Sequence, residues 1–336
     1  MLRSSLRRYP KVIADSVLRR ACERATLPAT PRAASPLAPP ALPAPDAPSP
    51  LGALWIGHAT VLLRVSGLHV ITDPVFSHRI GLRLGGYTIG PHRRQPPALL
   101  PPQLPPIDLV LLSHAHFDHL DTPSLAALAS RRTHVFTARG ISRLVPPGFG
   151  SVSELDWDEH ADVPGVGQAL RAALGDRFDA HTVPAVRVRA VAPNHWGART
   201  GYDRWRGCNA YVLESPPGSR ESRRVLFAGD TAFTDAFDQV REPDLAIFGI
   251  GAYDPWIHAH ADPEQVWTMF RTGEGRALLP MHHSTFELSD EPAHEPLERL
   301  LRIAGAHERL VVAHRPGDLW TPEQASTAPP SPTPGV

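Results

Sequence analysis

Hydrophobic positions along this chain fall into short blocks parted by glycine, proline and polar residues. Residues 54–65 and 69–75 are rich in aliphatic and β-branched side chains and are separated by Ser66-Gly67, the composition of a hairpin with a tight turn. Ile107, Leu109, Val110, Leu111 and Leu112 form a run without polar alternation, as expected of a strand buried on both faces. Further runs of strand length lie at 134–137, 151–156, 188–192, 210–213, 225–228, 245–250 and 277–280, whereas 262–271 and 292–304 carry helical spacing. Thr122 and Pro123 predict a helix through Arg131, with the threonine as cap and the proline in the first turn. Numerous strands with interspersed helices indicate an α/β protein of mixed layers. Residues 77–106 hold many Gly, Pro and Arg and read as a long irregular loop that shapes a site entrance.

Composition narrows this picture. A chain of 336 residues that is 42% hydrophobic can fill one large core, placed at 51–320. Residues 1–50 stand apart: an Arg-rich segment with Val12, Ile13, Val17 and Leu18 at helix-like spacing, then an Ala/Pro-rich linker that cannot bury a core. Residues 321–336 are rich in Thr, Pro and Ser and read as a disordered tail. Arg plus Lys balance Asp plus Glu at 34 each, so no global field favours nucleic acid. Lys11 is the only lysine, and Ala and Pro are abundant, a bias compatible with a GC-rich bacterial genome. Cys22 and Cys208 lie too far apart to suggest a disulfide framework. No run of eighteen apolar residues and no secretory signal are present, so a cytoplasmic location is expected. Peripheral contact with the inner membrane face through the N-terminal segment, and a homodimer, are both compatible with the sequence.

Candidate chemistry concentrates just after the run at 107–112. Ser113-His114-Ala115-His116-Phe117-Asp118-His119-Leu120-Asp121 offers three imidazoles and a carboxylate within six residues, a density suited to divalent ions. A strand that ends in this turn lets His114 and His116 face one ion while Asp118 and His119 face a second. Mixed imidazole and carboxylate donors suit zinc, and manganese and iron accept similar sets.

This motif resembles that of the metallo-β-lactamase superfamily. Trp55-Ile-Gly-His-Ala-Thr-Val, Thr72-Asp-Pro, the text from Leu104 to His114, and Glu154-Leu-Asp-Trp resemble its N-acylphosphatidylethanolamine phospholipase D branch, over about residues 51–318. The resemblance implies a four-layer αββα sandwich with two mixed β-sheets. It implies a first ion held by His114, His116 and His195, a second by Asp118, His119 and His282, and Asp230 shared between them. It makes Asp73 a support of the metal loop, not a ligand. Aligning on Thr285-Phe286 makes His282 the ligand and puts His283 where the family carries an aromatic wall residue. His260, two residues before Asp262-Pro263-Glu264, matches an active-site histidine of the branch, although Ala259 replaces the usual glutamine.

Two ions can activate a bridging hydroxide, with Asp118 orienting it and assisting proton transfer, and can stabilise charge in the transition state. The expected activity is therefore hydrolysis of a phosphodiester or lipid substrate, of phospholipase D type. A lactonase resembling the ascorbate-6-phosphate lactonases is the alternative enzyme. A di-iron redox protein is disfavoured, because it would carry glutamate in place of His116. A membrane-surface scaffold is disfavoured by the complete ligand set.

Overall fold

The computed structural model describes residues 51–163, 186–200, 202–215 and 222–322. The expected N-terminal segment, the linker and nearly all of the C-terminal tail lie outside them. The blocks of the sequence become strands β1 (Leu51–Gly57), β2 (Thr60–Val65), β3 (Leu68–Thr72), β4 (Leu82–Leu84), β5 (Tyr87–Ile89), β6 (Leu109–Leu112), β7 (His134–Ala138) and β8 (Ser151–Leu155). After these come β9 (His160–Asp162), β10 (Arg187–Val191), β11 (Ala210–Glu214), β12 (Arg224–Phe227), β13 (Leu245–Gly249), β14 (Leu278–Met281) and β15 (Leu319–Trp320). The α-helices among the described residues are α1 (Thr122–Leu128), α2 (Pro263–Thr272) and α3 (Glu295–Ala304).

One sheet has seven strands in the order β15-β1-β2-β3-β6-β7-β8, and the other has six in the order β14-β13-β12-β11-β10-β9. Both are mixed. The first is antiparallel from β15 to β3 and parallel from β3 to β8, while the second is parallel only across β12, β13 and β14. The inner faces meet in a core that includes Trp55, Val61, Leu111, Phe136, Tyr211, Phe227 and Leu279. Each fully buried side chain of this size contributes roughly 1.5–3 kcal/mol. Outside the second sheet, Val266, Met269 and Phe270 of α2 and Leu300 and Ala304 of α3 pack on Val212, Ala246 and Phe248. Outside the first, Leu125 and Leu128 of α1 cover Val110, Leu112 and Val135. The result is the layered αββα arrangement.

Several expected boundaries change. The run at 54–65 is two strands, because His58 takes a left-handed φ of +54° and turns the chain between β1 and β2. The stretch 77–106 is not wholly irregular: β4 and β5 pair as a hairpin around Gly85-Gly86. Helix α1 is capped by Asp121, with Thr122 already helical, and it ends at Leu128, short of Arg131. The Asp121 carboxylate makes no cap bond and instead accepts from the Ser77 and Ser124 hydroxyls. Strands β9 and β15 are additions to the expected set. Helix α2 does begin at Pro263, with Asp262 accepting from the Gln265 N–H as its cap.

Candidate metal centre

In the first sheet β1, β3 and β6 run the same way, as do β10, β12, β13 and β14 in the second, so their carboxyl ends share an edge of each sheet. The candidate residues follow these ends. Asp73 comes after β3 and the His114 to Asp121 loop after β6. His195 follows β10, Asp230 follows β12, His260 lies between β13 and α2, and His282 comes directly after β14. The close approach of the two edges depends on Gly229, at φ +60°: a Cβ there would sit 2.9 Å from the Ser113 Cβ.

Among the described residues four overlapping groups of donor atoms form where the edges meet, and two of them together hold all seven expected ligands. The first contains His114, His116, His195 and Asp230. His114 Nε2 is 2.8 Å and His195 Nε2 3.4 Å from His116 Nδ1, and each is 3.8 Å from Asp230 Oδ2. In the second, His282 Nε2 lies 3.2 Å from both Asp118 Oδ2 and His119 Nε2 and 3.3 Å from Asp230 Oδ1. His119 Nε2 is 3.5 Å from Asp118 Oδ2 and 3.1 Å from Asp230 Oδ2. Tetrahedral coordination at 2.0–2.1 Å puts ligand atoms about 3.3 Å apart, so these spacings fit two ions that share Asp230. Asp230 Oδ1, buried and without a hydrogen-bond partner, fits the same reading.

Outer contacts turn the rings so that a lone pair points inward. Asp73 Oδ2 lies 2.7 Å from His119 Nδ1, which therefore bears the proton and leaves Nε2 free. Asp73 also accepts from the Ser113 N–H at 2.7 Å and from its hydroxyl, and that hydroxyl lies 2.9 Å from His114 Nδ1. His195 Nδ1 is 2.9 Å from the Ala259 carbonyl, and the His195 ring is stacked on the half-exposed Trp196. Arg199 clamps the loop by donating to the Ala115 and Leu120 carbonyls, with its guanidinium over the Phe117 ring. The local sequence around His195 did not reveal that clamp.

His260, expected in the active site, stands with Nδ1 3.8 Å from Asp230 Oδ2 and its ring edge-on to His195. His283 turns the other way. Its ring centroid is 4.7 Å from that of Trp55, and its Nδ1 is 2.9 Å from the Ser284 hydroxyl. Exchange of either histidine for alanine therefore has different expected results. His282→Ala retains one zinc per chain, whereas His283→Ala retains two and loses only packing; metal analysis of both variants checks this. His58, unassigned from sequence, places Nε2 3.0 Å from Asp118 Oδ2. A depression of about 510 Å³ beside Tyr253, Ile257 and Arg299 is lined by none of the clustered histidines. Its Glu291 and Glu295 are held by the Ala252 and Asp254 N–H groups, the Tyr253 hydroxyl and Arg299.

Burial opposes charge here, and neighbours decide which group keeps it. It would raise Asp118 and Asp230, yet charge on His119 holds both well below the usual carboxylate range. It would lower His119 and His282, yet Asp230 and Asp118 raise both, His282 to about 9. Burial wins at His58, His260 and His283, pushing them to about 3, 4 and 3.

In the metal-free protein a raised histidine stabilises fully below its unfolded value near 6.5 and loses that contribution as pH rises through about 9. Depressed histidines, among them His58, His260 and His283, stabilise fully above 6.5 and lose that contribution as pH falls, toward 3, 4 and 3 for these. Melting of the metal-free protein should therefore be highest near pH 6.5 and decline on both sides. Zinc should flatten the alkaline limb, because a coordinated His282 has no proton to lose. A melting temperature that climbs from pH 6.5 to 9 without metal would contradict this balance.

Comparison with known proteins adds independent findings. The family model described as a β-lactamase superfamily domain matches residues 69–283. An uncharacterized protein of Mycobacterium tuberculosis is 32% identical over 312 residues, covering 87% of this chain and 74% of that protein. N-acyl-phosphatidylethanolamine-hydrolyzing phospholipase D 1 of Caenorhabditis elegans is 27% identical over 293 residues, covering 81% and 76%. The crystal structure of a possible metal-dependent hydrolase from Veillonella parvula superposes with a TM-score of 0.59 at 13% identity, covering 81% and 99%.

Proposed function

This chain belongs to the metallo-β-lactamase superfamily and is a metal-dependent hydrolase, and from that premise we propose that it cleaves phosphodiesters of the N-acylated ethanolamine phospholipid class. The observation that carries the hydrolytic part is the convergence of His114, His116, Asp118, His119, His195, Asp230 and His282 into two adjoining groups at ligand spacing. The phosphodiester part is supported by the segment that sets His260 beside Asp230 and by the likeness to the nematode enzyme.

When bound, two divalent ions, with zinc best suited to the donors, supply a nucleophile at neutral pH and neutralise developing charge on a phosphoryl oxygen. The chain supplies the rest. Asp230 carries the charge that holds the two halves of the site together, and Asp118 orients the attacking group from the opposite side. His260 reaches the same space from the second sheet. Trp196, about half exposed and stacked on His195, offers apolar contact to acyl or glyceryl parts of a substrate.

Purified zinc-loaded protein should hydrolyse bis(p-nitrophenyl) phosphate and release phosphatidate from an N-acylated phosphatidylethanolamine, with little turnover of a lactone panel. Turnover of lactones with no release of phosphatidate would replace the proposed substrate class with the lactonase alternative.

A further inference from the structure

The structure assigns to His58 the task of fixing Asp118 by an N–H donated from outside the ligand set, and so of securing the second ion. The inference rests on the reading of Asp118, His119 and His282 as that ion's ligands.

His58 occupies the turn between β1 and β2, is 1% exposed, and holds a φ of +54° that non-glycine residues rarely adopt. Such a conformation is unfavourable for an L side chain and persists only where its surroundings enforce it. Here they do. The His58 N–H donates to the Thr285 hydroxyl at 2.9 Å, and its carbonyl accepts from Trp55 Nε1 at 2.9 Å and from the His282 N–H at 3.2 Å. The His282 ring lies against that of His58 at 4.1 Å, and Phe286 meets it edge-on at 5.1 Å. The imidazole therefore has one direction in which to act, and Nε2 reaches Asp118 Oδ2 at 3.0 Å.

The proton on that contact can be located. An ionised carboxylate has no hydrogen to give, so Nε2 must carry it. The Nδ1 of His58, buried and without a hydrogen-bond partner, is then a bare acceptor. The other tautomer would oppose two lone pairs across 3.0 Å and bury an orphan N–H as well. The atoms of His58 group with those of Asp118, His119 and His282, but where His119 has its Nδ1 held by Asp73 and its Nε2 turned to Asp230, His58 has its Nε2 on Asp118 Oδ2, and under this assignment it stays there as a donor and not a ligand. Asp118 Oδ2 has one lone pair for His58 and another toward His119 and His282. Through its carbonyl, His58 also tethers the backbone of His282. One residue of the first sheet thus positions ligands contributed by both sheets.

The test compares H58Q, which presents an amide N–H at nearly the same reach, with H58L, which fills similar space without a donor. Both place a side chain on the same left-handed backbone, so strain cancels in the comparison. Zinc binding to metal-free protein is measured by competition with a chelating dye. In H58L the dissociation constant of the second ion should rise about 10–100-fold while the first is unaffected, and H58Q should recover most of the loss. Equal affinities in the two variants would overturn the assignment. Wild-type protein labelled with ¹⁵N and loaded with ¹¹³Cd gives a readout that needs no variant. His58 Nε2 should bear a proton and show no coupling to cadmium, while His119 and His282 Nε2 couple to it. A cadmium coupling at His58 would make it a ligand and end the proposal. Failure of the underlying site is distinguishable, because wild-type protein would then bind fewer than two ions.

Discussion

Dialysis against a chelator is expected to abolish hydrolysis, and zinc to restore it in proportion to the ion bound, up to two per chain. The expectation follows from what the cluster contains without ions. Its rings and carboxylates neutralise one another: His119 and His282 hold protons, and Asp118 and Asp230 remain ionised beside them. Neither Ser113 nor Cys208, which lie beside the cluster, replaces the lost nucleophile. Ser113 donates its hydroxyl to Asp73, and burial pushes the Cys208 thiol well above its ordinary range. Metal uptake must therefore displace protons, and a pH indicator should register their release as zinc is added near neutral pH. Full turnover with a single ion at saturation would sink the two-ion mechanism.

His260→Ala should retain both ions yet lose about 10²–10⁴ in turnover, the usual worth of a positioned donor or acid. Its Nδ1 lies 3.8 Å from Asp230 Oδ2, and the ring is packed between His195 and His282, at 5.0 and 5.3 Å between centroids. Burial lowers its pKa to about 4, so at neutral pH the ring is uncharged and acts by donating an N–H, not by holding a ready proton. A glutamine at 260 should accordingly keep part of the rate. Loss of an ion from His260→Ala would instead place the residue among the ligands, since its atoms group with Asp230 and His282. An unchanged rate with both ions retained would leave it as a helix-entry residue.

Mixed α/β layers were legible from local pattern, since apolar runs became strands and Asp262-Pro263 began a helix where it should, whereas the αββα order came from the family resemblance. The loop from His114 to His119 was legible for another reason, since its chemistry is contiguous. Asp230 and His282 each closely follow an apolar strand, but it was the family resemblance that singled them out, and the structure brings both beside the loop. His58 escaped detection. It lies inside what reads as one uninterrupted β run, and the contact that gives it meaning is with Asp118, sixty residues away. Nothing local announces that a histidine, not a glycine, will take the left-handed conformation there. The hairpin of β4 and β5 was missed because Leu82, Leu84 and Tyr87 are exposed, so no burial pattern marks its strands. The Gly85-Gly86 pair between them was the available signal. The cap of α1 was misplaced because Asp121 spends its carboxylate on Ser77, a tertiary contact outside the reach of capping rules.

The two sheets contribute donors unequally, and this has a consequence for how the protein matures. His114, His116, Asp118 and His119 come from the first sheet, but His195, Asp230 and His282 come from the second, and His282 follows β14, late in the chain. A ribosome that has made β1 to β8, all of the first sheet but β15, has made only half of each site. Firm capture of either proposed ion would have to wait for the later strands to dock, so ion uptake would report completed assembly. Chains that stall or mispair before that point should remain empty, and in a cell short of zinc they should be the first to be degraded.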